Sequence, residues 1–209
     1  RLFKEVDVTK LRKKIGLSLD KVIVSYVGKY KTNGVLKGVD KVIVGLAEAS
    51  KKSSLEFCIV GPEEEELEEI RALAVDAGFD IKKLNLIPHL PNKEALDYVK
   101  ASDILLLPYP NKRNYSLFMS PLKLFEYMAS GNAIVASKLP SLTEVLDEKS
   151  ALFVTPDDYS AMGEAVMMLC DNEELRGAIG ARAKELSQYY TWDLRAQRII
   201  DFIEERSEE

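Results

Sequence analysis

Between residues 22 and 154, short apolar runs rich in valine and isoleucine alternate with segments whose apolar residues recur at helical spacing. The run Val22–Val27 reads as a strand, and Val39, Val42, Ile43 and Leu46 lay one stripe along a helix behind it. The unit recurs as strand Leu55–Val60 with helix Glu63–Ala77, then strand Asn85–Ile87 with helix Asn92–Ala101. Strand Ile104–Leu107 with helix Pro121–Ala129, strand Ala133–Ala136 with helix Leu142–Leu146, and a last strand Ala151–Val154 complete the series.

The runs DILLLP and AIVAS show no polar alternation, so both faces of those strands must be covered, as happens in a parallel sheet with helices on each side. The pattern predicts an α/β, Rossmann-like, doubly wound parallel sheet of about six strands. Beyond Asp157 the strand pattern stops, and extra C-terminal helices are expected at Ala161–Cys170, Glu173–Tyr189 and Trp192–Glu205, with Trp192 anchoring the last one. Helix starts are marked by Gly61-Pro62-Glu63, by Asn92, by Ser141 with Glu144, and by Thr191 with Asp193. The first 20 residues are charged and carry no strand signal, as if cut from something longer.

A length of 209 residues with 46% apolar composition suits one large domain over residues 1–209. The formal charge of −5, with the acidic run Glu63 to Glu66, disfavours broad binding to nucleic acid or anionic membranes. Cys58 and Cys170 are the two cysteines, too few for a disulfide framework or zinc cluster, which points to a reducing, cytoplasmic setting. No stretch approaches the roughly 20 apolar residues of a membrane span.

Ligands of doubly wound sheets bind outside the carboxyl ends of the strands, so the loops after Val27, Val60, Ile87, Leu107 and Ala136 hold the candidate chemistry. The first of them, GKYKTNGVLKG, combines Gly28, Gly34 and Gly38 with Lys29, Lys31 and Lys37 at the opening of a helix, a composition suited to a diphosphate. Neither the Walker nor the dinucleotide fingerprint is present. In the segment SPLKLFEYMASGNAIVAS, Ser120 is expected to cap a helix that Pro121 opens and Gly131 closes. An anion can rest on the amides between Met119 and Leu122, although Pro121 offers no N–H. Lys123 and Glu126 stand three residues apart on one face, either as an ion pair or with Lys123 turned to phosphates.

These segments, VSYVGKY, KGVD, SDILLLPY, SPLKLFEYMASG and YYTWDLRAQRI, taken in this order, resemble glycosyltransferase family 4 of the GT-B fold. The resemblance covers nearly the whole chain and aligns it with the carboxyl-terminal, donor-nucleotide-binding domain of that family. It implies that Glu126 accepts hydrogen bonds from the donor ribose, and that Lys29 and Lys37 neutralise the leaving diphosphate. Gly28, Met119, Ser120, Leu122 and Lys123 would line the diphosphate, and Pro88 with His89 the base, while Tyr109 and Tyr115 stack or pack nearby.

The implied reaction is transfer from a UDP-, GDP- or ADP-sugar to a hydroxyl acceptor with retention, needing no metal or other cofactor. An amino-terminal acceptor domain would be the partner, and any membrane association would run through it. Two departures stand out. Lys29 and Lys37 are eight residues apart, with an insertion around Thr32-Asn33-Gly34 that also brings Lys31 into consideration. Phe118 occupies the position, eight before Glu126, where the family's sugar-binding glutamate would lie. A non-enzymatic nucleotide-binding module and an epimerase-like relative are the alternative readings.

Overall fold

The computed structural model describes residues 6–32 and 34–207. Helix α1 (Val8–Ile15) precedes β1 (Val22–Val27), which leads through a small antiparallel hairpin, β2 (Lys31–Thr32) and β3 (Val35–Leu36), into α2 (Val39–Lys52). There follow β4 (Leu55–Val60), α3 (Leu67–Asp76), β5 (Leu84–Ile87), α4 (Asn92–Ala101), β6 (Ile104–Leu107), α5 (Arg113–Leu117) and α6 (Leu122–Ser130). The chain closes with β7 (Ala133–Ser137), α7 (Pro140–Thr143), β8 (Leu152–Val154), α8 (Tyr159–Asp171), α9 (Glu173–Ser187) and α10 (Trp192–Ser207).

The six longer strands form one parallel sheet in the order β5-β4-β1-β6-β7-β8, the order of dinucleotide-binding sheets. Alternation along β1 divides the core: Val24 and Tyr26 face one apolar layer with α2 and α8, and Ile23 and Val27 face the other with α4 and α6. Backbones of α2 and α8 touch, since a methyl group on Gly45 would collide with the Tyr159 carbonyl oxygen and one on Gly163 with the Gly45 carbonyl oxygen. Helix α1 docks at the amino ends of the strands through buried Arg12, whose Nη2 donates to Asp103 Oδ2 at 2.7 Å and whose Nε donates to Ala101 O at 2.8 Å.

The strands lie where the apolar runs place them, and several caps do not. Pro121, extended at ψ 122°, takes the cap position of α6 in place of Ser120, and Gly131 closes the helix in the left-handed region. Pro91 precedes α4, so Asn92 is its first helical residue, and Leu139 rather than Ser141 precedes α7. Thr191 does cap, accepting from Leu194 N at 3.2 Å. Trp192 does not anchor α10: it is 70% exposed, and every described side chain of that helix is exposed. Its ring is covered by the guanidinium of Arg195 at 5.6 Å, one turn along its own helix. Residues 1–5 and Asn33 lie outside the described residues.

Candidate functional site

A parallel sheet of this order reverses direction between β1 and β6, and the two strands part there. Strand β1 pairs with β4 along its full length but with β6 only at Val24 and Ser25. Beyond Ser25 the Tyr127 hydroxyl, from α6, takes the place of a neighbouring strand. It accepts from Val27 N at 2.8 Å and donates to Val27 O at 3.2 Å, wholly buried. A crevice can open at this rim without orphaning the backbone that borders it.

The chain leaves β1 at Gly28, whose N–H donates to Val60 O at 2.7 Å, so that amide is spent on the sheet. What Gly28 contributes is space: a Cβ there would collide with Nζ of Lys123. Gly38, at φ 87°, starts α2 against the Pro108 carbonyl, in a conformation and a gap that exclude larger residues. It fixes Lys37, the residue before it, at the same rim.

Three lysines converge here. Lys123 points inward, with its Nζ 3.9 Å from the centre of the Tyr26 ring and 5.9 Å from that of Tyr109. That Nζ is buried and has no hydrogen-bond partner. Burial, and then the charge of Lys37, push its pKa well below the usual lysine range, while Glu126 acts in the opposite sense. Lys37 is itself lowered by burial and by Lys29. Lys29 is exposed, its Nζ 4.0 Å from Glu63 Oε1. Lys31, in the hairpin, is drawn toward α3 by Glu69 at 2.7 Å, so of the two loop lysines it is Lys29 that neighbours Lys37.

Glu126 stands half-buried one turn of α6 beyond Lys123, and its Oε1 accepts from Asn92 Nδ2 at 3.2 Å. It forms no ion pair with Lys123, because α6 turns the lysine under Gly28 while the carboxylate stays at the rim. Pro88 and His89 follow β5 at the same sheet edge, half-buried and exposed respectively. Ser120 and Leu122 are exposed at the start of α6, Met119 is half-buried, and Phe118 is 69% exposed with the Arg113 guanidinium 5.7 Å from its ring. Tyr109 is buried and packs on Tyr115 with ring centres 5.3 Å apart, which favours packing over stacking on a ligand.

Tyr26, Tyr127 and Asn92 belong to the site although their motifs did not single them out. Tyr127 was detectable: Lys123, Leu124, Tyr127 and Met128 form the inward stripe expected of a helix against a sheet. Among the described residues, no three His, Cys, Asp or Glu side chains gather into a possible metal site. No described helix is long and apolar enough to cross a membrane.

Known proteins are similar to this chain in sequence or in fold. The D-inositol 3-phosphate glycosyltransferase of Corynebacterium kroppenstedtii is 27% identical over 202 residues, which are 93% of this chain and 43% of the relative. The chain thus spans less than half the length of that relative. Sucrose-phosphate synthase from Thermosynechococcus elongatus superposes with a TM-score of 0.80 at 20% identity, over 98% of this chain and 49% of its own. Anabaena HepE, solved with UDP-glucose, superposes with a TM-score of 0.75 at 17% identity, over 98% of this chain and 54% of its own. The family model described as "Glycosyl transferases group 1" matches residues 21–172, and the chain belongs to that family.

Proposed function

We propose that this chain is the donor-binding domain of a retaining glycosyltransferase of family 4, and that it grips a nucleoside-diphosphate sugar where β1 and β6 part. The observation that carries the proposal is the gathering of Lys29, Lys37, Lys123 and Glu126 along one carboxyl rim, each near enough to the next to act on its ionisation or to share its helix turn. Cations at that place meet the charge that develops on a leaving diphosphate, so no metal ion is called upon. The opening of α6 adds its dipole and the amides around Leu122. Asn92 holds one oxygen of Glu126, leaving the other to accept from the ribose hydroxyls. The base packs along Pro88 and His89. The UDP-glucose bound by HepE, on the same fold, supports a sugar nucleotide as ligand.

The relative's length supports an acceptor-binding half elsewhere in the whole protein, with closure of the two halves excluding water from the reaction. The 209-residue chain then binds donor and transfers little by itself. Phe118 favours a second reading, a nucleotide-binding module without transfer, because an exposed phenyl ring offers nothing to sugar hydroxyls. Calorimetric titration with UDP and GDP tests the donor site. Glu126→Ala removes hydrogen bonds to a charged group worth about 1.5–3 kcal/mol, a loss of about ten- to a hundredfold in affinity. Unchanged affinity in that variant refutes the ribose role.

A further inference from the structure

The Lys123 ammonium has three N–H donors, and in this structure none finds an acceptor. Its chamber is built to hold it all the same. The Tyr26 ring from β1 lies 3.9 Å from Nζ, Tyr109 from the segment after β6 lies at 5.9 Å, and the missing Cβ of Gly28 provides the space that Nζ fills. The charged groups acting on it are Lys37, from the segment before α2, and Glu126 from its own helix. Tyr127 on α6 and Tyr115 on α5 act in turn on the Tyr26 that faces Nζ. Only one of these groups is anionic, and it is not in contact with Nζ. A buried cation without a hydrogen-bond partner is a costly state; the face of Tyr26, at cation–π distance, offsets part of that cost, and the neutral amine carries a smaller one.

We propose that donor binding is proton-linked through Lys123: the empty domain stores the side chain as a neutral amine behind Gly28, and the arriving diphosphate draws a proton from solvent onto it. The amine lone pair takes the proton, solvent or buffer gives it up, and no other bond changes. Lys123 then meets the phosphate oxygens as an ammonium with donors already waiting. This rests on the donor-site reading above. Burial and Lys37 lower the empty-state pKa, and the bound diphosphate raises it, so affinity is full below the empty-state value. Above that value, affinity falls by up to about tenfold per pH unit until the bound-state value is passed.

The test is calorimetric titration of the 209-residue chain with UDP-glucose and, in parallel, GDP-mannose, at mildly alkaline pH in buffers of different ionisation enthalpy. A sugar nucleotide is a diphosphate diester without the terminal phosphate ionisation that complicates UDP. Uptake of up to one proton per donor is expected in the parent chain. It is expected to vanish in Lys123→Met and also in Lys123→Arg, whose guanidinium is protonated throughout. Circular dichroism checks both folds, and Lys123→Arg decides should Lys123→Met not fold. Binding without proton uptake, or uptake that survives both substitutions, overturns the linkage and leaves the donor site standing. No binding of either sugar nucleotide overturns the donor site, and the linkage with it.

Discussion

Replacing Tyr127 with phenylalanine removes one oxygen atom and tests how the backbone is satisfied where β1 and β6 part. That hydroxyl alone serves both the N–H of Val27, at 2.8 Å, and its carbonyl, at 3.2 Å, in a place no solvent reaches. Leaving a buried polar group unsatisfied costs about 1–3 kcal/mol, and with two groups affected Tyr127→Phe should destabilise by about 2–6 kcal/mol. For a chain of this length the melting temperature should fall by about 4–24 °C. Equilibrium urea unfolding followed by far-ultraviolet circular dichroism measures it; tryptophan fluorescence is a poor probe because Trp192 is exposed in the native state. The same variant should bind UDP-glucose more weakly, since Gly28 and Lys29 follow directly on the loosened residue. A loss below about 0.5 kcal/mol, the size of an ordinary surface change, would refute the reasoning.

Two further outcomes follow from the packing. Gly45→Ala forces α2 and α8 apart where their backbones meet, and should cost about 1–3 kcal/mol or more; an unchanged melting temperature would mean that the helices do not touch there. Asp147 accepts from Arg182 Nε at 3.1 Å and Nη2 at 2.8 Å. Burial raises its pKa, but hydrogen bonds from Arg182, Ser150 and the Lys149 N–H outweigh that and leave it below the usual carboxylate value. A depressed carboxylate contributes stability above its unfolded pKa of about 4 and loses it as pH falls through the folded value. Arg182→Ala should therefore destabilise near neutral pH, with the difference shrinking under acid; a difference constant with pH refutes the linkage.

The sheet was legible because two-sided burial writes itself into the sequence as unbroken apolar runs, and all six strands lie within a residue of those runs. Elements stabilised by a few long-range contacts were not. Helix α1 is strongly basic and is held by the Arg12 and Asp103 pair, 91 residues apart in sequence, which no local pattern announces. The two-residue strands of the hairpin and the five residues of α5 are too short for a period to appear. The site was half legible. Lys29, Lys37 and Glu126 stand on the rim that strand order assigns them, whereas Lys123, read from spacing as a companion of Glu126, lies beneath the glycine that opens the loop. Its depth depends on Gly28 and Tyr26, which spacing along α6 does not encode.

A Cβ on Gly61 would lie 2.9 Å from the carbonyl carbon and oxygen of Gly28, so the loops leaving β1 and β4 rest main chain against main chain. On the donor-site proposal, that seat is floored by main chain apart from the Lys123 side chain beneath Gly28, so few side-chain replacements can reshape it. On the same proposal, new preferences for base or sugar would be acquired at the margins, around His89 and along residues 111–120. A fixed seat with variable margins would then let one scaffold diversify its ligands while its handling of charge stays the same.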